Sequence, residues 1–130
     1  MPTKLFVNLP VRDLGRSKAF FTELGLDFFG QAEDMASVII SEHTQVMLLG
    51  EATFASYARN GVADATTATE MILVLGVQTR EQVDDLAGRA EAAGGQPVGA
   101  PRDDGYRYQR GFTDLDGHHW EALCLAEPAS

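Results

Sequence analysis

The feature that most constrains the fold is an internal repeat. Each half of the 130-residue chain shows the same order of patterns: a β-leaning apolar run, an amphipathic helix, then three short β-leaning segments. The first copy starts at Leu5–Val11, with Asp13 as the helix N-cap, and the second at Met71–Val77, with Thr79 as the N-cap. Repetition of a whole supersecondary unit indicates an architecture built from two similar modules.

The repeat predicts an α+β fold of two β-α-β-β-β modules related by pseudo-twofold symmetry. The first module covers about residues 4–50, a linker about 51–68, and the second module about 69–127. Because a module of about 60 residues has too small a core to be stable alone, we expect one domain over residues 1–130. In it, curved mixed sheets backed by helices enclose a cup, and ligands favour such concave junctions.

The charge balance excludes some partners. The chain has 19 acidic and 10 basic side chains, a net charge of −9, which argues against nucleic acid and against an anionic membrane surface. Its single cysteine rules out an internal disulfide. No apolar run approaches the ~20 residues needed to cross a bilayer, and no signal peptide is evident, so we expect a cytoplasmic protein.

Two segments show a family resemblance. NLPVRDLGRSKAFF at residues 8–21, followed by Leu24-Gly25, and TDLDGHHWE at residues 113–121 are the residues that match. They resemble the first strand and helix and the final hairpin of the vicinal oxygen chelate superfamily, and the resemblance spans nearly the whole chain. That superfamily includes glyoxalase I, extradiol dioxygenases, fosfomycin-resistance enzymes and bleomycin-resistance proteins. Because the fold hosts unrelated chemistries, the resemblance implies the fold more strongly than a reaction.

The resemblance also implies where a metal would be held. In metal-dependent relatives, four side chains bind one divalent ion, and the matching positions here are Phe6, Leu48, Ile72 and Glu121. Three of these are hydrocarbon side chains that cannot ligate a hard metal, so only Glu121 is retained. We therefore expect no cofactor and no standard metal site, and a divalent metal only if non-standard ligands hold it.

Glu121 is the strongest candidate for chemistry. Its segment alternates, so His119 and Glu121 share one face while Trp120 and Cys124 share the other. If Trp120 and Cys124 pack beneath a helix, Glu121 points into the cup, where it serves as a general base or as a ligand anchor.

Arg110 is predicted as the partner of Glu121. A symmetric hairpin around Leu115–Asp116 places Arg110 opposite Glu121, where it acts as an electrophilic clamp. The alternative is a cross-strand ion pair that only satisfies a buried carboxylate.

The remaining candidates line the same cup. Tyrosines and one histidine supply polar groups, whereas apolar residues and one amide form the floor. Each of them has an alternative role in the core or as ordinary strand composition. The predicted ligand-binding residues are Phe6, Asn8, Leu48, Ile72, Tyr106, Tyr108 and His119.

These patterns lead to three functional hypotheses. The first is a glyoxalase-like protein that binds a small organic molecule and, if an enzyme, acts as a metal-free lyase or isomerase through Glu121 and Arg110. The second is a non-catalytic protein that sequesters an antibiotic or toxin. The third is a metal-dependent lyase or dioxygenase with non-standard ligands. The resemblance also implies a homodimer.

Overall fold

The computed structural model describes residues 3–32 and 34–125. In these residues the chain forms two four-stranded mixed sheets and three helices, which confirms the predicted α+β class. It divides into two compact units, residues 1–64 and 65–130, and the boundary lies inside the predicted linker. That the two units form one domain stays a prediction.

The first unit contains one complete copy of the repeat followed by a short helix. Its strand order is β1-β4-β3-β2, with β1 parallel to β4 and the other pairs antiparallel. Its elements are β1 (Leu5–Val11), α1 (Leu14–Glu23), β2 (Asp27–Ala32), β3 (Met35–Ser41), β4 (Thr44–Gly50) and α2 (Glu51–Tyr57).

The second unit repeats this topology. Its strand order is β5-β8-β7-β6, again with the first strand parallel to the last and the other pairs antiparallel. Identical strand orders confirm the repeat. The predicted module end at about residue 127 lies outside the described residues. The elements are β5 (Ile72–Val77), α3 (Arg80–Ala92), β6 (Pro97–Asp103), β7 (Arg107–Thr113) and β8 (His119–Leu125).

Both long helices begin where their caps predict. The Asp13 carboxylate accepts a hydrogen bond from the backbone N–H of Arg16 at 3.1 Å. At the start of α3, the Thr79 hydroxyl accepts from the backbone N–H of Gln82 at 3.1 Å, and the Gln82 side chain accepts from Thr79 N–H at 3.0 Å. Such caps stabilise a helix by about 1 kcal/mol each.

One face of each sheet is buried beneath its helix. In the first unit, Phe20 and Phe21 of α1 are buried, as are the strand residues Leu9, Val11, Val38, Val46 and Leu48. In the second unit, Ala122 and Cys124 pack against Val83 of α3, and Trp120 is fully buried on the same side. This confirms that Trp120 and Cys124 face the helix.

The loop between β7 and β8 is organised by one buried carboxylate. Asp114 accepts hydrogen bonds from the backbone N–H groups of Asp116 and His118 at 2.9 and 3.0 Å, and from Trp120 Nε1 at 3.1 Å. The backbone N–H of Asp114 also donates to the carbonyl of His118 at 3.1 Å. Burial raises the pKa of the Asp114 carboxyl, while the His118 ring and the three donors oppose that rise.

This loop overturns the predicted register. Because Asp114 holds His118 inside the loop, the hairpin closes one residue later than a symmetric turn would. Arg110 therefore pairs with Ala122, and Gly111 is the residue opposite Glu121. A shift of one residue moves a side chain to the other face of a sheet, so the prediction that Arg110 faces Glu121 is wrong.

Candidate functional site

The surface of the second sheet that points away from α3 carries Glu121, and we call it the Glu121 face. Residues directly opposite each other in neighbouring strands project to the same side of a sheet, so the strand register defines this surface. Its members are Ile72, Val74, Val98, Arg102, Gln109, Gly111, Thr113, His119, Glu121 and Leu123.

Both oxygens of the Glu121 carboxylate are engaged by side chains of the same face. Gln109 Nε2 donates to Oε1 at 2.9 Å, and His119 Nε2 is hydrogen-bonded to Oε2. The side chains of His119 and Glu121 are only 16% and 12% exposed, so the pair is shielded from bulk water. Shielding strengthens a hydrogen bond between a carboxylate and an imidazole.

The position of this carboxylate depends on the absence of a side chain at Gly111. A Cβ atom built on Gly111 would overlap the Glu121 carboxylate and would lie 3.1 Å from Cβ of Val98. The carboxylate of Glu121 therefore lies over Gly111 of β7, in the space that any larger residue at position 111 would occupy.

The contact with Glu121 determines which ring nitrogen of His119 is available. When Glu121 is ionised its carboxylate only accepts hydrogen bonds, and Nε2 of His119 then carries the proton of this contact. Nδ1 is then the basic nitrogen, and it has no hydrogen-bond partner among the residues that the structure describes. In such an arrangement a carboxylate can orient an imidazole for proton transfer.

His119 also borders a groove of about 520 Å³ at the end of the sheet. The groove lies between the start of β8, the loop after α3, and the segment that precedes β5. Its polar lining is mostly uncharged, and neither lysine nor arginine contributes to it. The lining includes Ala65, Thr66, Thr69, Gln96, Val98, Thr113 and His119.

Arg110 and Tyr108 lie on the opposite face, against α3. Arg110 pairs with Asp84 at 3.2 Å and Glu91 at 3.1 Å, and the Tyr108 hydroxyl donates to Asp84 at 2.5 Å. The Tyr108 hydrogen bond lowers the pKa of Asp84, and the same bond raises the pKa of Tyr108. The structure therefore does not bring Arg110 or Tyr108 to Glu121.

Tyr106 lies in the turn before β7 rather than in the strand, and it is 61% exposed. The Arg107 guanidinium lies 5.8 Å from the centre of its ring. Tyr106 therefore has no contact with the His119–Glu121 pair.

In the first unit, the predicted residues divide between two faces. Phe6 and Asn8 pair with Gln45 and Met47 of β4, whereas Leu48 pairs with Leu9 and is fully buried. Leu48 therefore faces the helix, away from Phe6 and Asn8. The position of β4 that corresponds to Glu121 of β8 is Met47. Met47 pairs with Asn8 and Glu121 pairs with Val74, and each of these partners lies three residues before the end of its strand.

The donor set does not fit a glyoxalase-type metal. The β5 residues that pair with His119 and Glu121 are Ile72 and Val74, whose side chains have no donor atom. Gly111, on the other side of Glu121, also supplies none. Within residues 3–32 and 34–125, no three His, Cys, Asp or Glu side chains are grouped as metal ligands.

Sequence reasoning missed Gln109, Gly111 and the groove. The β7–β8 loop contains the sequence signal for Gln109 and Gly111. In it an aspartate, Asp114, is followed three residues later by a glycine, and this spacing favours a wide loop closed by the aspartate's own carboxylate. With Asp114 in that role, the register places Gly111 beside Glu121. The groove depends on the segment before β5, which has no sequence periodicity.

Comparisons with known proteins agree with the fold. The family model described as Glyoxalase/Bleomycin resistance protein/Dioxygenase superfamily matches residues 5–122. A comparison with curated protein sequences finds no match. Within the described part of the chain, none of the helices has the length and hydrophobicity to span a bilayer.

Solved structures share this fold over nearly the whole chain. Hypothetical protein SA1046 from S. aureus is 31% identical, with a TM-score of 0.82, and the match covers 95% of this chain and 94% of that one. The fosfomycin resistance protein FosX from Listeria monocytogenes, in complex with Mn(II) and sulfate, is 18% identical, with a TM-score of 0.70 and coverage of 97% and 93%. TnmS3, an antibiotic binding protein from Streptomyces sp. CB03234, is 18% identical, with a TM-score of 0.70 and coverage of 97% and 98%. The last two similarities concern the fold alone.

Proposed function

Because this chain belongs to the Glyoxalase/Bleomycin resistance protein/Dioxygenase superfamily, we propose that it binds a small organic molecule on its Glu121 face and moves a proton there. The observation that carries this proposal is the shielded contact between Glu121 and His119, with Nδ1 of His119 left without a protein partner in the described residues. In a catalytic carboxylate–imidazole pair, the carboxylate holds one ring nitrogen and the other nitrogen acts on the reacting group.

The proposed chemistry is a metal-free proton transfer of the lyase or isomerase type. Nδ1 of His119 takes a proton from the ligand, and Glu121 stabilises the imidazolium that forms. Gln109 holds the second carboxylate oxygen, so that the pair keeps its orientation when the charge changes. Arg110 has no part in this step because it is bound to α3 on the other face.

A second candidate function is binding without chemistry. Ile72 and Val74 are 53% and 48% exposed beside His119 and Glu121, which gives the site an apolar border suited to an organic ring. Sequestration of an antibiotic or toxin fits this border, and TnmS3, a protein of the same fold, is described as an antibiotic binding protein.

A thermal-shift screen against metals, thiol conjugates and antibiotics tests ligand binding. A compound that binds only the folded protein raises the melting temperature. We expect such a compound to stabilise the wild type but not Val74→Asp, which places a charge in the exposed apolar border beside Glu121, while Val62→Asp, at an exposed position of the first unit, behaves as the wild type. Equal stabilisation of Val74→Asp and the wild type would contradict the proposal.

Turnover separates the two candidate functions. If the protein is a catalyst, His119→Gln abolishes turnover of a compound that it still binds. If the protein only sequesters its ligand, no turnover of that compound occurs in the wild type.

We also propose that the protein is a cytoplasmic homodimer. β5 is an edge strand of its sheet, and such a strand presents backbone N–H and C=O groups with which the same strand of a second copy can pair. Light scattering should then give a mass of about twice 14.1 kDa, and a mass of 14.1 kDa alone would refute the dimer.

A further inference from the structure

Arg102 reaches the Glu121 face through a bulge in β6. Val98 pairs with Gly111, and the next pair in the ladder joins Arg102 to Gln109, so four positions along β6 match two along β7. In a regular ladder Ala100 would lie opposite Gln109. The two extra residues lie between Val98 and Arg102, where Gly99 has a φ of +70°. β-bulges are common beside active sites, where they redirect a side chain.

Arg102 also differs from the other arginines of the second unit in its pairing. No carboxylate partner of Arg102 occurs among the described residues, although its chain neighbour Asp103 binds Arg80. The second unit's other ion pairs of arginine are Arg80–Asp103, Arg89–Asp85, Arg107–Asp104, Arg110–Asp84 and Arg110–Glu91. In this acidic part of the chain, Arg102 keeps its donors available for a ligand.

The register places Arg102 on the same face as the proposed proton-transfer pair. Arg102 is opposite Gln109, whose side chain donates to Glu121 at 2.9 Å. Glu121 belongs to β8, on the other side of β7, and its carboxylate lies over Gly111 of β7. A ligand that contacts both Arg102 and His119 therefore extends across β7.

We propose that Arg102 binds an oxyanion of the ligand, and that the ligand is a small organic anion such as a carboxylate or a phosphate ester. This proposal rests on the proposed function, because it places the ligand on the same face. The guanidinium matches two oxygens of a carboxylate or phosphate group, and its charge offsets the repulsion expected from a chain of net charge −9. With its anionic end on Arg102, the ligand presents a hydroxyl or an acidic C–H group to His119.

Titration with two anions tests this proposal. Pyruvate supplies a carboxylate and methyl phosphate a phosphate ester, and calorimetry measures the affinity of each for the intact protein. We expect saturable binding of at least one of them, weakened about tenfold by Arg102→Ala and restored in part by Arg102→Lys. The anion that binds more tightly identifies the oxyanion class.

The matched control is Arg16→Ala on α1, since the guanidinium of Arg16 likewise has no carboxylate partner among the described residues. This control should change the affinity less than twofold. Absence of saturable binding of both anions, or equal weakening by Arg16→Ala and Arg102→Ala, would overturn the proposal.

Glu121→Gln distinguishes this proposal from the proposed function. Removing a negative charge next to the anion should leave its affinity unchanged or increase it. Anion binding that survives Glu121→Gln but not Arg102→Ala supports the role of Arg102, even where tests of proton transfer fail. Anion binding that survives Arg102→Ala refutes the role of Arg102 but does not refute the proposed function.

Discussion

Gly111 determines where the Glu121 carboxylate lies. The carboxylate occupies the space above the Gly111 backbone, and from there it reaches both Gln109 and His119. This glycine is important because the Glu121 carboxylate approaches its backbone closely. Backbone strain is not the reason, since the φ of Gly111 is not in the left-handed region. Glycine at position 111 is therefore required for the orientation of Glu121 and His119.

We predict that Gly111→Ala displaces the carboxylate. The new methyl group overlaps Glu121 and crowds Val98, so unfolding should become easier by about 1–3 kcal/mol, the usual cost of overpacking. His119 should also lose its single tautomer, which the ¹⁵N shifts of its ring nitrogens report. Denaturant unfolding and NMR of the purified protein measure both effects.

Gly88→Ala is the matched control. Nothing lies within 4 Å of a Cβ atom built at Gly88 on α3, so alanine should stabilise the helix by about 0.5–1 kcal/mol. An unchanged His119 tautomer and unchanged stability in Gly111→Ala would show that the carboxylate does not depend on this glycine.

At the scale of elements, α3 is attached to β7 by a polar cluster as well as by its apolar stripe. Asp84 accepts from Tyr108 and Arg110, and Arg110 also reaches Glu91. Arg80 lies 5.0 Å from the centre of the Tyr108 ring, and its hydrogen bonds to Asp103 lower the pKa of that carboxyl to about 2. These residues hold the helix on the sheet, so their role is structural.

Tyr108→Phe should lower the free energy of unfolding by about 0.5–1 kcal/mol near neutral pH, a modest figure because Asp84 is about half exposed. The raised pKa of Tyr108 means that its contribution is present below pH 10 and is lost as the pH rises through the folded-state value. The difference between variant and wild type should therefore shrink above pH 10.

Below neutral pH, the stability contributed by this hydrogen bond depends on pH with the opposite sign. The pKa of Asp84 is lowered, so its contribution is present above about pH 4 and is lost as the pH falls through the folded-state value. Tyr106→Phe is the control, because Tyr106 is exposed in a turn and the structure shows no partner for its hydroxyl among the described residues. If both variants gave the same pH dependence, the hydrogen bond to Asp84 would not be its source.

The sequence was sufficient to predict the helices and strands but not the register of the β7–β8 hairpin. Helix caps are local, so Asp13 and Thr79 were sufficient to place α1 and α3. The register of the β7–β8 hairpin depends on a carboxylate that binds its own loop and the Trp120 ring, which no strand pattern shows. The prediction that Arg110 and Tyr108 face Glu121 was wrong for this reason, whereas the placement of His119 with Glu121 needed only strand alternation.

At the scale of the whole molecule, the repeat is conserved in topology but not in chemistry. The two units have matching strand orders, and the pairs Ile72–His119 and Val74–Glu121 of the second unit correspond to Phe6–Gln45 and Asn8–Met47 of the first. Only the second unit has a carboxylate and an imidazole at these positions. The repeated topology therefore accounts for the fold, and a few strand residues that differ between the two units determine where the proposed chemistry lies.

The most direct test of the account is a chemical-shift map of a bound ligand. A ¹H–¹⁵N spectrum of the protein is recorded with and without the most strongly stabilising compound of the thermal-shift screen. We predict that the largest changes occur at Val74, Gln109, Gly111, His119 and Glu121, all on the Glu121 face. Changes confined to α3 and to Tyr108 and Arg110, on the opposite side of the sheet, would contradict it.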